Sequence, residues 1–320
     1  MPILANTNCA EPAQIREAFL PFARPDWVEG MVIGDDLDSL LSAMFLQQEF
    51  GWPVVGIYCQ YTRLWHTEPT DVFQEKLEKG KLFAVDLDIC HAAVPSLGHH
   101  ILALKNSDEL RGHTHTLNPN ALRGFSIEQS FRRKYPLATI HFLCWLFEAK
   151  HLSPGAEMLT WLADSSFVNA QHYQSNVEEW TKRYFRLPLF THFLPALQTP
   201  EFEQDLQKNI LAPMAQNPLC RPSSSDYKSK NLGLNGFQCQ FENPNRQNAA
   251  LQSLCQILAE LSAWPRLVLP AHFEYFFQGK RREIKVGELP ADVPFGEWLE
   301  REGVFSYAFT YRDSLNYTIL

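Results

Sequence analysis

Carboxylates and imidazoles gather in two short stretches of this chain. They are the side chains that bind Mn2+, Fe or Zn at hydrolytic centres. The first stretch is Asp35-Asp36-Leu37-Asp38. The second begins with Asp86 and Asp88 and continues through His91, His99, His100, His113 and His115, so five of the eleven histidines fall within 25 residues. Each stretch has a bland reading as well. An Asp before a helix serves as its N-cap at the positive end of the dipole, and a histidine cluster is as readily a solvated loop as a ligand set. A cap needs one acid, however, and the first stretch has three; Asp36 and Asp38, separated by Leu37, can both face a sheet edge.

The elements that must carry these groups follow from the apolar pattern. MVIG (31–34) reads as a short buried strand, Leu37, Leu40, Leu41, Met44 and Phe45 repeat at helical spacing, and PVVGIYCQY (53–61) is a β-branched run. KLFAVDL (81–87) gives a further strand, ending in acids, and GHHILAL (98–104) another. Helical patterns occupy 126–150 and 155–185, and YPLATIHFLCWLFEAK is apolar nearly all round, as a buried helix is. Strands alternating with helices predict an α/β fold, a doubly wound and mostly parallel sheet whose ligands collect beyond the strand carboxyl ends. From 186 to 235 prolines and NPLCRPSSSDYKSKN mark a linker or mobile helical segment. Residues 236–320 read as a second, smaller mixed α/β domain, with GFQCQF, NAALQSLCQILAELSAW, HFEYFF and VFSYAFTYRDSLNYTIL as its elements.

Composition narrows the class. At 320 residues, 45% hydrophobic and 20% charged, the chain has globular proportions, and its net charge of -8 makes it a poor clamp for long polyanions. Seven cysteines without any C-x-x-C spacing (Cys9, Cys59, Cys90, Cys144, Cys220, Cys239, Cys255) read as reduced core residues. The first residues carry no basic stretch leading into an apolar run, and nowhere do about 18 apolar residues follow one another. The expectation is a cytoplasmic protein with no membrane partner. P-loop, dinucleotide, nucleophile-elbow and zincin motifs are all absent from the sequence.

The run Asp36-Leu37-Asp38-Ser39-Leu40-Leu41-Ser42-Ala43, after a strand and opening a helix, resembles the first motif of the DHH phosphoesterase superfamily. That superfamily includes family II inorganic pyrophosphatases, single-strand-specific exonucleases and small oligonucleotide hydrolases. FAVDLD resembles its second motif, GHHI its Asp-His-His with Gly98 at the first place, LNPN (117–120) the Asn-Pro pair that often follows, and TWLADSS its helical fourth motif. The resemblance covers roughly residues 30 to 170, within a metal-binding domain drawn at 1–185.

The resemblance implies a metal-dependent phosphohydrolase for a small nucleotide or a short single-stranded oligonucleotide, with Mn2+ as cofactor and Mg2+ as the alternative. Asp36 would hold one ion; Asp38, His99 and Asp164 would hold the second; Asp86 would bridge both. His100 would lie by the substrate phosphate as a catalytic group, with Asn118 and Arg312 as substrate contacts, Arg312 on a family-like closing strand SYAFTYRDS. Asp88 is a second candidate for the bridging place. A homo-oligomer fits the same picture, and the basic run Gly279-Lys280-Arg281-Arg282 fits a hairpin turn. Val32, Gly34 and Gly98 depart from the family pattern. The alternative is therefore a catalytically degenerate relative, a nucleotide-binding sensor or protein-interaction subunit.

Overall fold

The computed structural model describes residues 11–224 and 226–320; Cys9 lies outside them. Among the described residues the strands are β1 (Gly30–Ile33), β2 (Val54–Cys59), β3 (Arg63–His66), β4 (Leu82–Val85), β5 (Ser96–Leu97), β6 (Thr116–Leu117), β7 (Cys220–Pro222), β8 (Phe237–Cys239), β9 (Tyr275–Gln278), β10 (Lys280–Lys285), β11 (Val304–Tyr311) and β12 (Ser314–Ile319). They belong to two compact units. One comprises the chain through Gly34, Trp52–Tyr135 and Pro270–Leu320; the other comprises Asp35–Gly51 and Pro136–Leu269. The compositional boundaries at 185 and 235 both fall inside the second unit.

The first unit is α/β. Its sheet has the order β6-β5-β4-β1-β2-β3-β9. From β6 to β2 every pairing is parallel, and β3 and β9 extend the sheet antiparallel. The buried strands β1 and β4 read as unbroken apolar runs, as strands covered on both faces must. Helix Thr70–Glu78 inserts Phe73 among Val32, Tyr58, Leu64, Leu82 and Ala84 on one face. Phe83 alternates to the opposite face, where the rings of Phe19 and Phe22 meet it at 5.8 Å. The sheet is thus wound on both sides. A second sheet, β10-β12-β11, is antiparallel throughout, and helix Phe295–Arg301 covers it through Trp298, 5.3 Å from Tyr317.

Several local expectations change here. GHHILAL is not a strand: β5 stops at Leu97, and the following carbonyls of His99 and His100 accept from the side chains of Asn120 and Asn118 rather than from a neighbouring strand. Only the end of HFEYFF is a strand, and it joins the seven-stranded sheet beside β3. The run Lys280-Arg281-Arg282 is no hairpin turn. It opens β10, because Gly279 donates its N–H to Thr62 and the chain continues directly from one sheet to the next.

The second unit is mainly helical, with Leu37–Phe50, Thr139–Leu146, Pro154–Leu162 and Asn248–Ser262 among its helices and β7-β8 as a two-stranded ribbon. Every residue of Thr139–Leu146 is buried, in keeping with its all-round apolar sequence. Within 186–235 the chain forms helices Pro188–Phe193 and Pro200–Leu206. The second of these buries Glu203 completely. Its carboxylate accepts from the side chains of Gln171, Ser229 and Asn231 and from the backbone N–H groups of Asn231 and Leu232. One acid thereby holds the Ser-rich loop against a helix. Among the described residues no helix is long and apolar enough to cross a membrane.

Burial pushes the Glu203 carboxyl up, but the donors from Ser229, Leu232, Gln171 and Asn231 outweigh it and hold it below its ordinary value of 4.5. A carboxyl depressed on folding stabilises fully above its unfolded pKa and loses that contribution as pH falls through the lower native value. In urea denaturation Glu203→Ala is expected to cost about 3 kcal/mol, from donors left buried and unpaired. Glu203→Gln is expected to remove this part of the acid dependence; an unchanged stability profile below pH 4.5 would exclude the assignment.

Candidate functional site at the carboxyl edge of the parallel sheet

Strand order reverses beside β1, with β2 on one side and β4 on the other. Crevices at such reversals, beyond the carboxyl ends, are where open α/β sheets take ligands. Asp86 is the first residue beyond β4. It is buried and has a left-handed backbone at φ +57°, a conformation Asp enters more easily than most side chains.

The neighbouring strand ends bring the other groups. β5 leads into Gly98, His99 and His100, and β6 into Asn118. His99 Nδ1 lies 3.2 Å from Asp86 Oδ1. Asp88 accepts the His100 backbone N–H at 3.0 Å, contacts His100 Nδ1 at 3.1 Å and accepts the Asn118 amide at 2.8 Å. The rings of His99 and His100 stack at 4.4 Å. Asn118 also caps helix Pro119–Leu122 through the N–H groups of Asn120 and Ala121, with Pro119 at the first helical position. Three adjacent strand ends are therefore laced together by side-chain amides and carboxylates.

Electrostatics follow from this packing. Burial pushes the Asp88 carboxyl up, yet the His100 hydrogen bond and the charges of His100, His99 and His113 overcome it and hold the group below its ordinary value. Burial lowers His113 to about 4, against the pull of Asp88. His113 is neutral near pH 7 and bonds Thr116 through Nδ1.

Gly98 has a steric explanation. A Cβ there would lie 2.2 Å from Asp88 Oδ1 and 2.4 Å from Asp88 Cγ. The carboxylate beside the histidine pair thus comes from Asp88, in the space a side chain at position 98 would need.

Of the residues singled out in sequence, the first unit brings together Asp86, His99, His100 and Asn118. Arg312 is elsewhere: it occupies the exposed turn between β11 and β12, not the body of a closing strand, and reaches the Glu128 carbonyl at 3.4 Å. The turn is set by β11 and β12 pairing up to Tyr311 and Ser314. Asp36, Asp38 and Asp164 belong to the second unit. Asp36 caps helix Leu37–Phe50 by accepting from Ser39 N at 2.8 Å. Asp38 is fully buried and accepts the Thr139 and Ile140 N–H groups at 2.6 and 2.9 Å, serving the start of a second helix about a hundred residues away. Asp164 is exposed, at φ +48° in a kink between helices. Sequence reasoning did not find Asn120, whose side chain holds the His99 carbonyl and accepts the Tyr135 N–H. The Asn-Pro-Asn pattern was its one visible signal.

Asp86 and His99 offer an oxygen and a nitrogen donor close enough to share one ion. A carboxylate with an imidazole suits Mn2+, Fe2+ or Zn2+ better than it suits a monovalent ion. No family model matches the chain, and neither characterised proteins nor solved structures provide a match.

Gly98→Ala is expected to cost about 1–3 kcal/mol by overpacking against Asp88. The cost should shrink when Asp88→Gly is present, because the two side chains compete for one space. A double-variant cycle by chemical denaturation measures this; equal cost in both backgrounds would refute the overlap.

Proposed function

We propose that this protein is a cytoplasmic, metal-dependent phosphohydrolase acting on a small nucleotide or a short single-stranded oligonucleotide. The observation that carries the reading is the Asp86–His99 pair at the reversal of strand order, flanked by His100 and Asn118. The DHH-like order of motifs gives the pair its chemistry. The carboxylates of Asp36, Asp38 and Asp164 enter the reading only through that order along the chain. Asp86 and His99 would hold Mn2+ in preference to the all-oxygen-ligated Mg2+, and the ion would supply an acidified water and neutralise charge at phosphorus. Asp88 orients His100 toward the substrate phosphate, and Asn118 keeps both strand ends in register. The net charge of -8 favours a short substrate over a long duplex.

One observation favours a second reading. Asp38 gives both carboxylate oxygens to backbone amides, as a structural acid does. That supports a catalytically silent relative that binds a nucleotide or a protein partner.

Calorimetric titration of chelator-stripped protein with Mn2+, followed by a phosphodiesterase assay on nucleotides and short single strands, separates the two. Asp86→Ala is expected to abolish metal binding and to lower hydrolysis by several orders of magnitude, whereas Asp35→Ala changes little. Absence of both metal binding and hydrolysis in the wild type would transfer support to the silent relative.

A further inference from the structure

The ribbon β7-β8 places Cys220 opposite Cys239 in antiparallel register. Backbone bonds from Gln240 N to Leu219 O and from Ser223 N to Gly236 O define the hydrogen-bonded pairs of this ribbon. Counting in from either bond, Cys220 and Cys239 fall at a non-hydrogen-bonded pair, where Cα atoms stand about 4.5 Å apart. A disulfide accepts Cα separations of about 4.4–6.8 Å. The two sulfurs are already in contact at 3.4 Å.

We propose that Cys220 and Cys239 form a reversible intrachain disulfide by thiol–disulfide exchange with a low-molecular-weight disulfide. The Cys220 sulfur, in the more exposed residue of the two (8% against 0%), attacks the small disulfide and expels one thiol. The Cys239 sulfur then attacks the Cys220 sulfur of the mixed disulfide and expels the second thiol. The protein loses two electrons and two protons, and the small disulfide is reduced to two thiols. This order of attack agrees with the ionisation of the pair. The Cys220 hydrogen bond, burial and the charges of Cys220, Asp36 and Cys255 hold the Cys239 thiol well above its ordinary value, so it is the poorer first nucleophile. A two-stranded ribbon of three residues per strand opens locally at low cost, which gives the small disulfide its access.

The new bond would close the loop between the two cysteines at its base. Glu203 already holds the same loop at Ser229, Asn231 and Leu232. The modification site is thus a clamp on a segment that composition marks as the least structured of the chain. It is independent of the phosphohydrolase reading, since the facing sulfurs and the ribbon register carry it without any residue of that site.

The test equilibrates full-length protein with mixtures of reduced and oxidised glutathione, quenches with acid, alkylates under denaturing conditions and digests without reduction. Mass spectrometry is expected to find the Cys220 and Cys239 peptides joined and two hydrogens lighter than their sum, and separated again by dithiothreitol. Cys255→Ser should leave the linked peptide intact, and Cys220→Ser should abolish it. Recovery of both cysteines alkylated from protein held in the oxidising mixtures would overturn the proposal. So would Cys220 persisting as its glutathione adduct, or either cysteine joined to Cys255. The wild-type result decides by itself should a variant fail to fold.

Discussion

Taking a carboxylate out of water costs several kcal/mol unless donors replace the lost hydration. Asp88 keeps only 2% of its side chain exposed, and its position beyond β4 is sustained by a backbone N–H, an imidazole and a side-chain amide drawn from the ends of β5 and β6. β5 and β6 have two residues each, too few for ladder bonds alone to hold their loops. The loops stay in place because Asp88 needs what they carry, and they in turn need Asp88. Gly98 belongs to the same constraint, since any larger residue would occupy the space of the carboxylate. The candidate site is built on this arrangement: His99 and His100 are adjacent in sequence, and each has its own acid.

The same rule governs the second unit. Asp38 is buried because the first amides of helix Thr139–Leu146 lack partners within their own helix, and a carboxylate supplies what they need. Glu203 is buried because a loop without regular structure has backbone and side-chain donors to satisfy. In both places an acid that resembles a catalytic group by residue type and burial also satisfies backbone donors that would otherwise be buried unpaired. Asp86 differs in kind. It pairs with an ionisable ring and lies beyond a strand end at the reversal of strand order, the place where open α/β sheets take ligands, which makes it the centre of the candidate site.

Much of the architecture was legible in the chain. Runs of β-branched and apolar residues named β1, β2 and β4, the helical spacing after Asp36 named Leu37–Phe50, and their alternation named an α/β sheet with acids at its carboxyl edge. These features depend on the period of a few consecutive residues, so sequence alone determines them. What tertiary structure decided depends on groups far apart in the chain. GHHILAL has the composition of a strand and forms a loop because Asn118 and Asn120, about twenty residues on, capture its carbonyls. Asp36 and Asp38 look equivalent on paper; one caps its own helix and the other caps a helix a hundred residues away. The seven cysteines show no motif, yet the register of two short strands sets Cys220 on Cys239. Residue type and local period are written in the sequence, whereas the partner of each buried polar group is set only when distant donors and acceptors are brought within hydrogen-bonding distance.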